Sequence, residues 1–380
     1  MLASTTAPLL VYSLALATFG GVHVVSELRY LDRRFGMRIG AARLAAMAML
    51  LIAAVSVRSL GLARWMEVRT AVSLELAAVA LLAPTAVTGR PVRAAFALAV
   101  AAALALATLR APFDTAVVLA ILHNLTPLAF LYEFVEPRAR RRVMLPALAG
   151  LIGLPLFVAT GVPRDALALG GIVPAGLGPR GFAGSLDPLG AGTLVEHLHV
   201  YVPEPLLASA CAIDLFTVVV VAQCAHYAAV IVVLPALLAA RDPDARGWLR
   251  WPRGWFHAGA LCGLALASLA AFASDFVGAR ALYGLAASVH AWIEVPLIVV
   301  ALTATSAITA TCATPAGRAW GHSTSPQDGQ PSSTRPAATD AALASVDSAS
   351  ARSGESPDPQ ATTSASTTTT TVSATSAPGT

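Results

Sequence analysis

The chain has 380 residues, of which 56% are hydrophobic and only 12% charged, and a formal net charge of +4. A soluble protein of this length could not cover so much apolar surface with so few charges, so the composition points to a polytopic membrane protein. The small positive charge is spread over loops and is carried entirely by 25 arginines, which argues against a nucleic-acid partner.

A spanning helix needs about 20 mostly apolar residues. The stretches that qualify, in chain order, are 7–28, 41–61, 71–88, 94–110, 115–135, 143–161, 207–239, 255–277 and 281–307. The expected fold is therefore all-α: an integral membrane helical bundle of about nine transmembrane helices over residues 1–308. The first stretch lacks a basic n-region and contains His23 and Glu27, so it reads as a transmembrane helix, not a signal peptide. The fourth, from Ala94, is short and alanine-rich. The seventh is long, with Asp214 near its start.

Arginine placement gives an orientation. The loops at 29–40, 89–93, 137–142 and 241–254 hold Arg29, Arg33, Arg34, Arg38, Arg90, Arg93, Arg138, Arg140, Arg141, Arg142, Arg241, Arg246, Arg250 and Arg253. These alternate loops are expected on the cytoplasmic side of a bacterial inner membrane, with the N-terminus outside and the C-terminus inside. Arg64 and Arg69 cut against the pattern. The longest connection, about 162–206, falls outside and is rich in Gly and Pro; at that length it reads as a lid or a mobile loop. Within it, His197 and His199 alternate as residues of an extended strand would. Residues 309–380 are Ser, Thr, Ala, Pro and Gly, a composition that predicts a disordered tail.

Four histidines lie inside four different spans: His23, His123, His226 and His290. Ionisable side chains in lipid cost several kcal/mol and usually serve a metal, a substrate path or a proton path. Residues i and i+4 share a helical face, so Glu27 projects with His23 and Glu294 with His290. Each acid is placed to orient its histidine for a metal. Pro127 frees the His123 carbonyl from its helical partner and predicts a kink beside that histidine. Counted from the proposed outer ends, His23 lies deepest, and the four depths spread over roughly 10 Å at 1.5 Å per residue.

Three chemistries fit this set. All four imidazoles bind one metal, with iron suited to oxygen chemistry at an open nitrogen site; or pairs of histidines hold haem in an electron carrier; or histidines and glutamates relay protons in a transporter. The plain alternative is one interhelical hydrogen bond per histidine. No P-loop, dinucleotide fingerprint, nucleophile elbow or H-E-x-x-H is present, and inverted repeats with broken helices are not evident. The four cysteines, Cys211, Cys224, Cys262 and Cys312, form no C-x-x-C pair and read as small buried hydrophobes.

The stretches His23-Val-Val-Ser-Glu27 and His290-Ala-Trp-Ile-Glu294, with His123 and His226 between them, resemble the Brp/Blh-type membrane beta-carotene dioxygenases. The family's motifs carry Asp where this chain has Glu. The chain also departs at Val24, at Asn124–Pro127 and at Val230, where the family has Gly, an acid and a further His. The resemblance implies a helical membrane fold in which His23, His123, His226 and His290 hold a non-haem iron. It also implies an oxidoreductase, a dioxygenase cleaving a lipid-soluble carotenoid or isoprenoid, with Glu27 and Glu294 as the acids of the catalytic set.

Among the other polar residues, Asp214 and Asp275 are expected at the interface. Glu75 is a possible second partner of the site, and Glu133 and Glu136 are expected to pair with the Arg138–Arg142 run. His257 belongs with Trp251 and Trp255 in an interfacial belt, and His322 lies in the tail.

Overall fold

The computed structural model describes residues 1–86, 91–172, 189–209, 211–252 and 254–304. The proposed tail, with Cys312 and His322, lies outside the described residues, as does most of the Gly/Pro-rich part of the long connection. The described residues form helices and no strand. Eight are long and apolar enough to cross a membrane, and a bent pair makes a ninth span.

The spans are α1 (Pro8–Ile39), α2 (Ala41–Leu62), α3 (Val68–Thr85), α4 (Pro91–Arg110) and the bent pair α5 (Pro112–His123) and α6 (Thr126–Phe134). After α7 (Pro137–Ala159) come two short helices, α8 (Val162–Leu169) and α9 (Leu194–Tyr201). The chain then forms α10 (Cys211–Arg241), α11 (Gly254–Ser274) and α12 (Phe276–Ala304). Proline opens α1, α4, α5 and α7, the one helical position where its missing N–H costs nothing. Helix α3 opens instead on Glu67, whose carboxylate accepts from the Arg69 and Thr70 amides at 3.1 and 2.8 Å and the Thr70 hydroxyl at 2.7 Å. These bonds satisfy donors that the first turn leaves orphaned.

Three spans contain a widened π-turn, at Asp32–Gly36, Ala149–Gly153 and Ala229–Val233. Two of these are followed at once by Pro155 and Pro235. The wider turn absorbs the hydrogen bond that a proline removes, so both helices continue across the membrane.

Large apolar side chains cover the outside: Phe19, Ile52, Leu81, Leu98, Leu109 and Leu266 are all exposed. His23, Glu27, Glu75, Asp214, His226, His290 and Glu294 are buried within. This is the arrangement lipid demands, because an unsatisfied polar group in hydrocarbon costs several kcal/mol. Among the described residues the interior has four apolar clusters, two of which occupy the two ends of α1. One packs Tyr12, Leu16, Leu194, Leu198, Phe216 and Phe276. The other packs Tyr30, Phe35, Phe130, Phe134, Leu234 and Leu297 at the arginine-rich end.

Ion pairs lock that end. Arg34 grips Glu133 with two bonds of 3.1 and 2.6 Å, Arg38 joins at 3.2 Å, and Arg241 pairs with Glu136 at 2.7 Å and donates to the Phe134 carbonyl. The two glutamates thus pair across spans, not with the neighbouring Arg138–Arg142 run, because α1 and α10 bring their arginines alongside α6. Asp32 gathers the amides of Trp248 and Leu249 and the indole N–H of Trp251, so Trp251 anchors a loop.

Two further expectations change. Asp214 is buried and pairs with Arg164 at 2.9 Å, because α8 folds back over the start of α10. Residues 194–201 are helical, so His197 and His199 point to different faces. His197 is buried against the Ala191 carbonyl, 2.8 Å from its Nε2, while His199 is exposed. A Thr193–Glu196 capping box starts this helix, and a strand reading missed that signature. The described C-terminal part of the long connection is therefore anchored in the core. Asp275 is exposed as expected and caps α12 at the Gly278 amide, 3.0 Å away.

Candidate metal centre

Each of the four intramembrane histidines sits at the middle of its span. His23 is the 16th residue of the 32 in α1, and His226 the 16th of the 31 in α10. His290 is the 15th of the 29 in α12. His123 closes α5 at the break of the bent pair. The expected 10 Å spread in depth thus disappears. The sequence reading ended the first span at residue 28, but the helix runs on to Ile39, which moves the midpoint to His23.

The layer lies between the two apolar blocks. Along α1 the order is Tyr12 and Leu16, then His23, then Tyr30 and Phe35; α10 and α12 repeat it. His23, Glu27, His226, His290 and Glu294 are each at most 1% exposed. Together His23, Glu27, His123, His226 and His290 offer five donor atoms, all within 4.8 Å of one another, so the group could hold a metal ion.

The contacts are specific. Nε2 of His290 lies 3.1 Å from Nε2 of His23 and 3.0 Å from Nε2 of His123. Oε2 of Glu27 lies 3.5 Å from Nε2 of His226 and 3.7 Å from Nε2 of His290. Two metal–nitrogen bonds of about 2.1 Å at a right angle put their nitrogens about 3.0 Å apart. The observed nitrogen spacings have that value. A hydrogen-bonded imidazole chain explains them less well, because the single in-plane site on His290 Nε2 would have to serve two neighbours at once. Neither oxygen of Glu27 and neither nitrogen of His226 makes a hydrogen bond. Buried donors left in that state are costly, and a cation would satisfy them.

The break in the fifth span positions His123. Pro127 has no N–H for the His123 carbonyl, and the pair α5–α6 bends by 41°, as the sequence predicts. The Thr126 hydroxyl takes over, 2.8 Å from that carbonyl and 3.1 Å from Oε1 of Glu294. Oε2 of Glu294 lies 2.6 Å from Nδ1 of His123. A carboxylate on Nδ1 holds the proton there and leaves Nε2 as a lone pair facing the centre. The acid pairings therefore differ from those expected. Glu294 serves His123 across two spans, not His290 on its own helix, and Glu27 faces His226 and His290 as a donor beside them. The i+4 spacing correctly sends both acids inward; which histidine each meets depends on the neighbouring helix.

Aromatic residues complete the centre. Tyr227 stacks on His23 with ring centroids 4.3 Å apart. Its hydroxyl accepts from Gln223 at 2.6 Å and lies 3.4 Å from that of Tyr283. Sequence reasoning passed over both tyrosines, although Tyr227 adjoins His226 and Tyr283 lies seven residues before His290. Glu75 is buried but does not reach the centre. It accepts from Arg58 and from the Trp292 indole, each at 2.9 Å.

A cavity of about 480 Å³ opens from the histidine layer towards the end opposite the arginine-rich loops. The four histidines form its inner end, with Leu16, Val72, Leu119 and Ala287 along its walls. Ile121, also on the wall, is 39% exposed. Comparison with family models, curated proteins and solved structures found no match.

Proposed function

We propose that the protein is a non-haem iron oxygenase of the membrane, acting on a carotenoid or another isoprenoid dissolved in the bilayer. The observation that carries this reading is a buried set of four imidazoles and a carboxylate, two of whose nitrogen pairs are 3.0–3.1 Å apart, at the inner end of a mostly apolar cavity. The likeness of the His23–Glu27 and His290–Glu294 motifs to the Brp/Blh-type dioxygenases supports the choice of reaction. An iron bound by His23, His123, His226 and His290 would supply the activation of O2.

The chain's own groups have separate tasks. Glu294 holds the proton on Nδ1 of His123 and aims its Nε2 inward. Thr126 stands at the helix break with its one hydroxyl proton within reach of both the His123 carbonyl and Glu294. Glu27 places negative charge beside His226 and His290, which lowers the cost of burying a cation. The apolar walls admit a polyene from lipid and keep water from the reacting bond. The arginine-rich loops face the cytoplasm, so the cavity lies in the outer half of the bilayer.

The haem alternative fits less well. Ring centroids of His23 and His123 lie 4.8 and 4.7 Å from that of His290, and those of His23, His123 and His226 lie 4.5–6.4 Å from one another. That spacing leaves no slot for a porphyrin, which would already occupy four positions around its iron. A proton relay keeps one supporting feature, the chain from His23 through His290, His123 and Glu294 to Thr126. Metal analysis with absorption spectroscopy of the purified protein separates these readings, and incubation with beta-carotene under O2 tests the reaction. A metal-loaded protein that consumes neither the polyene nor O2 would overturn the oxygenase assignment.

A further inference from the structure

The cavity carries two arginines, and their charges are handled differently. Arg58 is neutralised by Glu75 at 2.9 Å. Arg280 lines the same cavity, and no carboxylate pairs with it among the described residues. Its partners are phenols: the Tyr201 hydroxyl at 3.5 Å and the Tyr12 ring, with centroid 5.9 Å from the guanidinium carbon. The Tyr12 and Tyr201 hydroxyls lie 3.1 Å apart. One donates to the other, so one phenol proton remains for an acceptor, beside the guanidinium donors that Tyr201 does not use. A partly buried guanidinium ringed by hydroxyls, without a counter-ion, is a receptor for a carboxylate.

Its distance from the histidines sets the reach. Arg280 and His290 are ten residues apart on α12, about 15 Å along the helix. Tyr12 and His23 are eleven residues apart on α1, a similar rise, so two independent helices agree. The lining between is mixed: Leu16, Val72 and Ala287 are apolar, whereas Tyr283, Ser288 and the Arg58–Glu75 pair are polar.

We infer that the cavity takes an isoprenoid or polyene with a carboxylate at one end. Arg280, Tyr12 and Tyr201 hold the carboxylate, and a double bond about 15 Å further on reaches the histidine layer. This deepens the oxygenase reading by naming the substrate's polar end, and it rests on that reading only for what happens at the double bond. The same anion chemistry is offered by a lipid phosphate, and the test separates the two.

The experiment is equilibrium binding of retinoic acid and of beta-carotene to the full chain in phosphatidylcholine nanodiscs, followed by tryptophan quenching, with metal content measured in parallel. Arg280→Gln is expected to weaken retinoic acid by about tenfold or more, and Arg280→Lys by less. Neither change should alter beta-carotene affinity or metal content. Equal retinoic acid affinity in the wild type and Arg280→Gln overturns the inference, as does a parallel loss of both probes. If phosphatidylglycerol in the disc displaces the acid only when Arg280 is present, the bound anion is a headgroup and the inference fails. Should Arg280→Gln not accumulate, Arg280→Lys decides by the same criteria. Arg280-dependent acid binding by a protein that holds no metal would sink the oxygenase reading and leave this one standing. A metal-loaded, active protein indifferent to Arg280 would do the reverse.

Discussion

Glu294 controls His123 through a 2.6 Å contact, so the acid should matter although it is not among the five donors. Glu294→Gln keeps the size and loses the charge. It is expected to weaken metal binding by about 10–100-fold, the usual cost of losing such a partner, as read by titration against a coloured chelator. His226→Ala removes a fully buried imidazole of the proposed centre and should abolish metal retention; normal occupancy would remove His226 from the centre. The four histidines and two glutamates were readable from the chain because each interrupts an apolar run. Their pairings were not, because an i+4 rule describes one helix and the Glu294–His123 contact joins two. Arg280, Tyr12 and Tyr201 carried no local signal, since the first two lie near span ends, where polar residues are ordinary, and the third in a short connecting helix.

Helix boundaries account for most of the remaining differences between expectation and structure. The first span reads as ending near residue 28 because Arg29 and Asp32 look like loop residues, yet Asp32 and Arg33 spend their charge on the 243–251 segment and the helix continues. The kink at Pro127 was predictable because it follows from the missing N–H alone. Pro127→Ala should therefore restore a straighter helix and leave the thermal stability of the metal-free protein unchanged or higher. It should also draw His123 away from the centre and weaken metal binding by about tenfold; unchanged affinity would show that the bend is not what places the ligand. Outside the membrane, the Thr70 hydroxyl, then its amide, holds the Glu67 carboxyl below its ordinary value of 4.5. A depressed carboxylate stabilises above its unfolded pKa and loses that contribution as pH falls through the folded one. Protection of the first turn of α3 in hydrogen exchange is thus expected to be complete at neutral pH and to fade below about pH 4.5. Glu67→Ala should show the faded level at every pH, and a pH-independent wild type would contradict the cap.

In the bundle as a whole, the histidines and the two glutamates beside them form one layer between two apolar blocks, with exposed leucines and phenylalanines outside. Such a layer is expensive when its donors are unsatisfied, so a bound ion should stabilise the fold as well as serve the reaction. At a free metal concentration 1,000 times Kd the gain is about 4 kcal/mol, and chelation should lower Tm by several degrees. The count of spans was visible in the sequence because hydropathy and span length set it. That the histidines converge was not visible, because it depends on where each helix's midpoint falls. The most direct test of that convergence is the metal content and visible spectrum of the detergent-purified protein. The account predicts a single iron per chain, no Soret band, and loss of the iron in His226→Ala. A protein free of transition metal, or one with a sharp Soret band, would contradict it.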